Sequence, residues 1–261
     1  MSKELAKKED ETRELAVYDY GEDTGVGFEG QSADTLQIPF LSLLQDGSKA
    51  VKEKGFAPGT FFNTVTEECL GEEVFFVPAH VEHVYVEWVP RKKGGGFVGI
   101  HQKNSTVVVE ARRQSADFGK YATEEGNDLV ETLRVYGALC LSDGDVQPIV
   151  IPFWSTKIGV YRKWNTRVTM FTVAGPGGKK IKPPRYAHLV KLTSAVEERD
   201  SGDSFNYVMS PAKDSIKASL LLPSDERFIA AKAFAEMVKV GTARAADESL
   251  VTNGSGEEEV F

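Results

Sequence analysis

The sequence has 261 residues, of which 41% are hydrophobic, and a formal net charge of −8. This length suits one large domain with a full apolar core, or at most two. The charged N-terminus is followed by no apolar segment, and no run reaches the roughly eighteen apolar residues of a membrane helix. We therefore expect a soluble cytoplasmic protein without a membrane partner, whose two cysteines, Cys69 and Cys140, are reduced and buried.

Composition divides the chain into an arm, a folded region and a tail. Residues 1–34 are polar, charged and punctuated by glycine, which is typical of a disordered or loosely docked acidic arm. We place a single domain over residues 35–241. Residues 242–261 begin with small polar side chains and end in acids, which indicates a flexible linker and an acidic tail.

Alternating, β-branched and aromatic segments predict a mainly β domain of the α+β class. The turn sequence Ser-Asp-Gly-Asp at residues 142–145 favours a hairpin, so we expect an antiparallel barrel or sandwich rather than a parallel sheet. The predicted strands are 60–66, 73–89, 105–112, 129–141, 146–153, 186–194 and 205–209.

Two helices are expected within this β domain. Residues 155–168 begin with a serine and a threonine, which favour the start of a helix, and they place four large apolar side chains on one face. Residues 224–238 begin with Ser224 as the N-cap and carry acids in the first turn, where the helix dipole favours them. The first is a basic helix inserted between strands, and the second is a C-terminal helix that closes the domain.

A basic and aromatic window lies between Asp145 and Glu197, where the sequence has nine Lys or Arg residues and no acid. Proteins hold single strands with a positive groove for the backbone and aromatic faces for the bases. Duplex reading would need a groove-entering element, and no zinc-finger, basic-zipper or helix-turn-helix pattern occurs in the sequence. We predict binding of single-stranded nucleic acid, with DNA and RNA not distinguished.

Three segments supply the predicted contacts: a glycine-rich loop at 88–101, the helix region at 154–167 and a second glycine-rich loop at 175–185. The competing interpretation for Tyr161 and Trp164 is burial, because both lie on the apolar helix face. The predicted nucleic-acid-binding residues are Trp88, Arg91, Lys92, Lys93, Phe97, His101, Trp154, Lys157, Tyr161, Arg162, Lys163, Trp164, Arg167, Lys179, Lys180, Lys182, Arg185 and Tyr186.

The sequence offers no catalytic or metal-binding motif. Residues 175–180 lack the spacing and the Ser or Thr of a Walker loop. His80 and His83 are three residues apart in a predicted strand, so they point to opposite faces. We expect no enzyme activity, no cofactor and no metal.

The chain ends in three acids, an aliphatic residue and an aromatic residue. This end resembles the tips of single-stranded DNA-binding proteins of bacteria and tailed phages, which dock partner proteins. Carboxylates steer such a tip toward a basic pocket, and a terminal ring anchors it. The predicted docking tail, which would recruit replication or recombination proteins, is Glu257, Glu258, Glu259, Val260 and Phe261.

Segments 38–45, 61–66, 87–91 and 94–99 are similar to proteins of phage genomes, some of them single-stranded DNA-binding. This resemblance, over much of residues 36–170, implies an OB-like antiparallel β-barrel and a role in phage DNA replication, recombination or repair in the host cytoplasm. The alternative is a protein-interaction or transcription-regulatory module whose basic face binds an acidic partner. A homo-oligomer is left open.

The tail generates a first prediction. Residues 247–261 carry five acids and no base, and a tethered acidic segment can occupy the groove that the strand needs. Deleting these residues should therefore tighten oligo-dT binding at low salt, measured by fluorescence anisotropy. Unchanged affinity for oligo-dT would show that the tail does not compete with the strand, and docking of partner proteins would be its one remaining predicted role.

Overall fold

The computed structural model describes residues 37–198 and 203–241, together with Val26 and Ala245. The chain divides into two units, Met1–Leu36 and Gln37–Phe261, and every element below belongs to the second. The predicted docking tail lies outside the described residues, as does the predicted arm except for Val26.

The strands of the described residues are β1 (Leu41–Leu43), β2 (Phe61–Asn63), β3 (Cys69–Gly71), β4 (Glu73–Trp88), β5 (Phe97–Gln102), β6 (Tyr121–Ala122), β7 (Asp128–Cys140), β8 (Val146–Trp154), β9 (Val173–Ala174), β10 (Lys180–Ile181), β11 (Val190–Glu197) and β12 (Ser204–Pro211). The α-helices are α1 (Lys49–Lys54), α2 (Thr106–Gln114), α3 (Thr156–Met170) and α4 (Glu226–Lys239). Short 3-10 helices span Arg91–Lys93, Pro176–Gly178 and Arg185–Ala187.

A seven-stranded antiparallel sheet forms the centre of this unit. Its order is β12-β11-β4-β7-β6, with β5 also paired to β4 and β8 also paired to β7. Strands β1 to β3 form a smaller sheet, and β9 pairs with β10. The mainly β class is therefore confirmed. The OB-like barrel is not confirmed, because no pairing among the described strands closes the large sheet on itself.

Side-chain alternation gives the large sheet two faces. We call the side with Tyr85, Leu133 and Phe153 the front face, and the side with Tyr136 and Val150 the back face. On the front, the core includes α3 and the small sheet, and α2 packs over the Tyr85 end of β4. On the back, α4 packs on the sheet. Each face is thus closed by different helices.

Most predicted elements lie where the sequence placed them. Strands β4, β7, β8 and β12 agree with the prediction within two residues at each end, and the turn at 142–145 joins β7 to β8. Helices α3 and α4 are also confirmed. The N-cap of α4 is Asp225 rather than Ser224, and the Asp225 carboxylate accepts a hydrogen bond from Arg227 N.

The predicted strand at 105–112 is wrong, because these residues belong to helix α2. Ser105 caps this helix by accepting a hydrogen bond from Val108 N at 3.4 Å. Val108 and Ala111, three residues apart, are its buried side chains. The prediction of two buried thiols also needs correction, because Cys69 is exposed while Cys140 is partly buried.

The central pairing generates a second prediction. A Cβ added at Gly137 in β7 would lie 2.3 Å from Val77 O and 2.4 Å from Phe76 Cζ. Gly137→Ala should therefore lower the free energy of unfolding by about 1–3 kcal/mol or more, because backbone and a buried ring must move apart. Chemical denaturation measures this free energy.

Gly159→Ala is the matched control. Gly159 lies inside α3, and a Cβ there would meet no atom within 4 Å. The same substitution should raise the free energy of unfolding by about 0.5–1 kcal/mol, because alanine loses less backbone entropy in a helix. Equal effects of the two substitutions would contradict this packing.

Candidate nucleic-acid interface

Helix α3 divides its side chains between the core and the solvent. Tyr161 and Trp164 are each 3% exposed, and they pack with Phe153 and Leu133 on the front face. The opposite side of the helix exposes Arg162, Lys163 and Arg167, which we call the α3 basic face. The predicted contact role of Tyr161 and Trp164 is corrected accordingly, because the rings that fix the helix cannot stack on a base.

Lys157 is a second correction. The side chain is 2% exposed, and its Nζ lies 4.4 Å from the centre of the Trp154 ring and 5.8 Å from that of Tyr207. A buried ammonium over two aromatic rings gains cation-π attraction. Lys157 therefore belongs to the junction of β8 with α3 rather than to the surface.

Three lysines follow α3 in the chain. Lys179, Lys180 and Lys182 are exposed on and beside the β9–β10 hairpin, and we call them the lysine hairpin. Gly175 N donates a hydrogen bond to Lys179 O at 2.8 Å, which closes the turn. The α3 basic face and the lysine hairpin are thus consecutive, and no acid lies between them in the sequence.

Arg185 and Tyr186 have structural partners. Arg185 Nη1 donates to the Tyr161 hydroxyl and, at 2.9 Å, to Asn165 Oδ1, which joins the Arg185–Ala187 turn to α3. Burial raises the pKa of Tyr161, and the Arg185 charge acts against that rise. The half-buried Tyr186 ring contacts Phe228 of α4 edge to face, with 5.0 Å between centres.

The glycine-rich loop holds Arg91, Lys92 and Lys93 exposed at the far end of β4. Lys93 Nζ lies 3.3 Å from Glu125 O, so one of these cations contacts the neighbouring turn. The half-buried rings of Trp88 and Phe97 contact each other edge to face, with 5.6 Å between centres. The predicted mobile loop is shorter than expected, because residues 97–102 form strand β5.

His101 also has an internal partner. Its Nε2 lies 2.6 Å from Glu87 Oε2, and Asn127 Nδ2 donates to Glu87 Oε1 at 2.7 Å. Burial works to raise the pKa of Glu87, but the hydrogen bonds from Asn127 and His101 outweigh it and hold the pKa below its usual range. The His101 ring, which the sequence predicts to contact nucleic acid, is therefore held in place by the Glu87 carboxylate.

The predicted residues do not share one groove. Trp88 is the cross-strand partner of both Phe97 and Asp128, and alternation along β4 directs its side chain to the back face. Trp154 likewise packs against the core cluster of the back face. The α3 basic face lies on the front, where Arg162 Nη2 contacts Glu131 Oε1 at 2.8 Å. The α3 basic face and the rings of Trp88 and Trp154 therefore lie on opposite faces of the sheet.

The sequence-based prediction missed a second basic region on the front face. Arg112 and Arg113 are exposed near the end of α2, and Phe118 in the following loop is 90% exposed. An open depression of about 450 Å³ lies between them. This region was missed because the helix that carries it was predicted as a strand. The Ser105 cap and the helical spacing of Val108 and Ala111 indicate a helix, but the three consecutive valines at 107–109 favoured a strand.

Comparison with protein families shows which family the chain belongs to. Residues 7–244 match the family described as Pam3 phage gp34-like protein. The chain belongs to the Pam3 phage gp34-like family. This match supports the bacteriophage assignment that the sequence resemblance implied. Comparison with curated proteins gave no match. Comparison with solved structures gave none either. None of the described helices of this phage-family protein combines the length and the apolar composition of a membrane-spanning segment.

The contacts of Arg185 generate a third prediction. Arg185→Ala leaves Tyr161 and Asn165 without their donor, so it should lower the free energy of unfolding by about 1–3 kcal/mol. Lys182→Ala removes the same charge from an exposed position and should change that free energy by less than about 0.5 kcal/mol. Thermal unfolding of both variants checks the assignment, which equal losses would overturn.

Proposed function

We propose that this phage-family protein binds single-stranded DNA through the α3 basic face and the lysine hairpin. One observation carries the proposal: six bases are exposed over residues 156–182, and no acid lies in that segment. In a chain of net charge −8, such segregation creates a local positive potential that the total charge conceals. Phosphates are the ligand that this potential favours.

The packing of α3 supports this choice of surface. Ile158, Tyr161, Trp164 and Val168 fix one side of the helix in the core, so the opposite side is presented on a rigid support. Preorganised charges lose less side-chain and backbone freedom on binding than charges on a mobile segment. The lysine hairpin extends the surface along the chain and suits the irregular path of a single strand.

Two finer parts of the proposal come from the sequence. The strand-coating protein would recruit replication or recombination enzymes through the docking tail, Glu257–Phe261 in the sequence. An OB-like arrangement of the strands would relate it to other single-strand binders, but binding through the α3 basic face does not require that topology.

The second candidate is a protein-interaction or regulatory module with an acidic partner. Burial of Tyr161 and Trp164 favours it, because the α3 basic face then presents charge without the stacking rings of a typical single-strand site. An acidic polypeptide needs only the charges. At the same ionic strength, a single-strand-binding protein should bind oligo-dT more tightly than polyglutamate, and a module with an acidic protein partner should bind polyglutamate more tightly.

A salt series on fluorescein-labelled oligo-dT tests the proposal. Changing Arg162, Lys163 and Arg167 together to Gln should weaken binding and lower the slope of log affinity against log salt by about 2. This follows from about 0.7 per lost phosphate contact on a single strand. Fluorescence anisotropy at several salt concentrations gives both quantities.

The control changes Lys213, Lys217 and Lys232 to Gln, which removes the same charge from exposed positions elsewhere. It should leave the slope nearly unchanged, because these lysines are not part of the proposed surface. Equal losses in the two triple variants would show non-specific attraction. Absent or salt-insensitive binding of the unmodified protein would rule out the proposed function.

A further inference from the structure

Phe118 is the feature of the described surface that the proposed function does not use. Its side chain is 90% exposed, and every other aromatic side chain among residues 37–198 and 203–241 is at least partly buried. A single exposed apolar side chain is ordinary on a protein surface, so the role of Phe118 is decided by the shape of its loop and by the groups around it.

The loop that carries Phe118 has a defined shape. Ser115 N donates to Ala111 O at 3.1 Å at the end of α2. The Ser115 hydroxyl lies 2.7 Å from Asp117 O and 2.6 Å from Lys120 O, so its proton is shared between two carbonyls of the loop. Gly119 follows the ring with a φ of +87°, a conformation that glycine adopts without strain. Phe118 is therefore held at the tip of a turn.

Three charged side chains lie around this ring, together with the uncharged Val109, Ser115, Ala116 and Tyr121. Arg112, Arg113, Asp117 and Phe118 line the depression of about 450 Å³, with Val109 as an apolar wall. This volume falls within the roughly 300–1,000 Å³ of small-molecule sites, but the depression is open to solvent and would cover only part of a ligand. Docking of an apolar protein surface on Phe118 would remove water from the two nearby guanidinium groups without pairing them, which costs free energy. A nucleotide instead offers a base to the ring and a phosphate to the arginines.

We infer that Phe118, Arg112 and Arg113 form a stacking site for one unpaired base of single-stranded DNA, with its phosphate on the arginines. The inference rests on the proposed function and adds the aromatic component that the α3 basic face lacks. A duplex is disfavoured as the ligand of this site, because a paired base has both faces covered and must first be unstacked at a cost of roughly a few kcal/mol. Asp117 at the rim can accept a hydrogen bond from an exocyclic amine.

The site lies on the same face of the sheet as the α3 basic face. Burial is the main cause that raises the pKa of Tyr85, and the Glu131 charge adds to it, while the charges of Arg112 and Arg162 both lower it. The geometry agrees: Tyr85 packs with Val108 and Ala111 of α2, and Arg162 of α3 contacts Glu131, the cross-strand neighbour of Tyr85. A strand bound to the α3 basic face can continue past Tyr85 to Phe118 without crossing the sheet.

Full-length Phe118→Ala and Phe118→Trp proteins test the site by anisotropy on oligo-dT and on an abasic oligonucleotide of the same length. Loss of the ring should weaken oligo-dT binding by about 5- to 150-fold, the range given by 1–3 kcal/mol per stacked base, and tryptophan should restore it. Binding of the abasic strand should be the same for all three proteins. Leu222→Ala is the control, because it truncates a different exposed apolar side chain, one that is 70% exposed. This variant should bind oligo-dT as the unmodified protein does.

Three outcomes would overturn the inference. Unchanged oligo-dT binding by Phe118→Ala, with weakened binding by the α3 triple variant, would remove this site and leave the proposed function intact. An equal loss on oligo-dT and abasic strands would show that the ring supports the fold or the phosphates rather than a base. Absence of oligo-dT binding by the unmodified protein would refute the inference together with the proposed function.

Discussion

The antiparallel pairing of β4 with β7 is the constraint on which the rest of the structure depends. The pairing runs from Phe75 with Cys140 to Trp88 with Asp128, and alternation along it assigns each side chain to one of two faces. The register shift between Pro78 and His80 and the missing side chain at Gly137 let the strands pass closely at the middle of the pair. A helix that packs on one face is therefore separated from most side chains of the other, and the contact of Lys157 with Trp154 at the end of β8 is an exception.

This separation determines which groups can act together. Helix α4 closes the back face with Phe234, Ala235 and Val238, and Trp154 packs against the same cluster. Helices α2 and α3 share the front face, where Tyr85 and Glu131 lie between them. Basic side chains from two distant parts of the sequence thus border one strip of sheet. The arrangement follows from the packing of both helices on side chains that alternation directs to the front face.

The elements that could be predicted from sequence are those whose pattern is local. The β7–β8 hairpin follows from its Asp-Gly turn, and the stripe of α3 follows from the spacing of its apolar side chains. Helix α2 was predicted as a strand, because its three consecutive valines are typical of strands and the helix cap at Ser105 was given less weight. Side-chain partners such as Glu87 for His101, or Tyr161 for Arg185, are far apart in the sequence. Burial likewise depends on which elements meet, so the sequence could identify the rings of α3 but not decide between stacking and core.

Membership of the Pam3 phage gp34-like family makes this a phage-type protein, and binding of single-stranded DNA is our proposal for it. Ultraviolet crosslinking of bound oligo-dT, with mass spectrometric mapping of the linked peptides, tests the central claim most directly. The account predicts crosslinks on the front face, in peptides that contain Phe118 and residues 162–182. Crosslinks confined to α4 on the back face, or none at all, would contradict it.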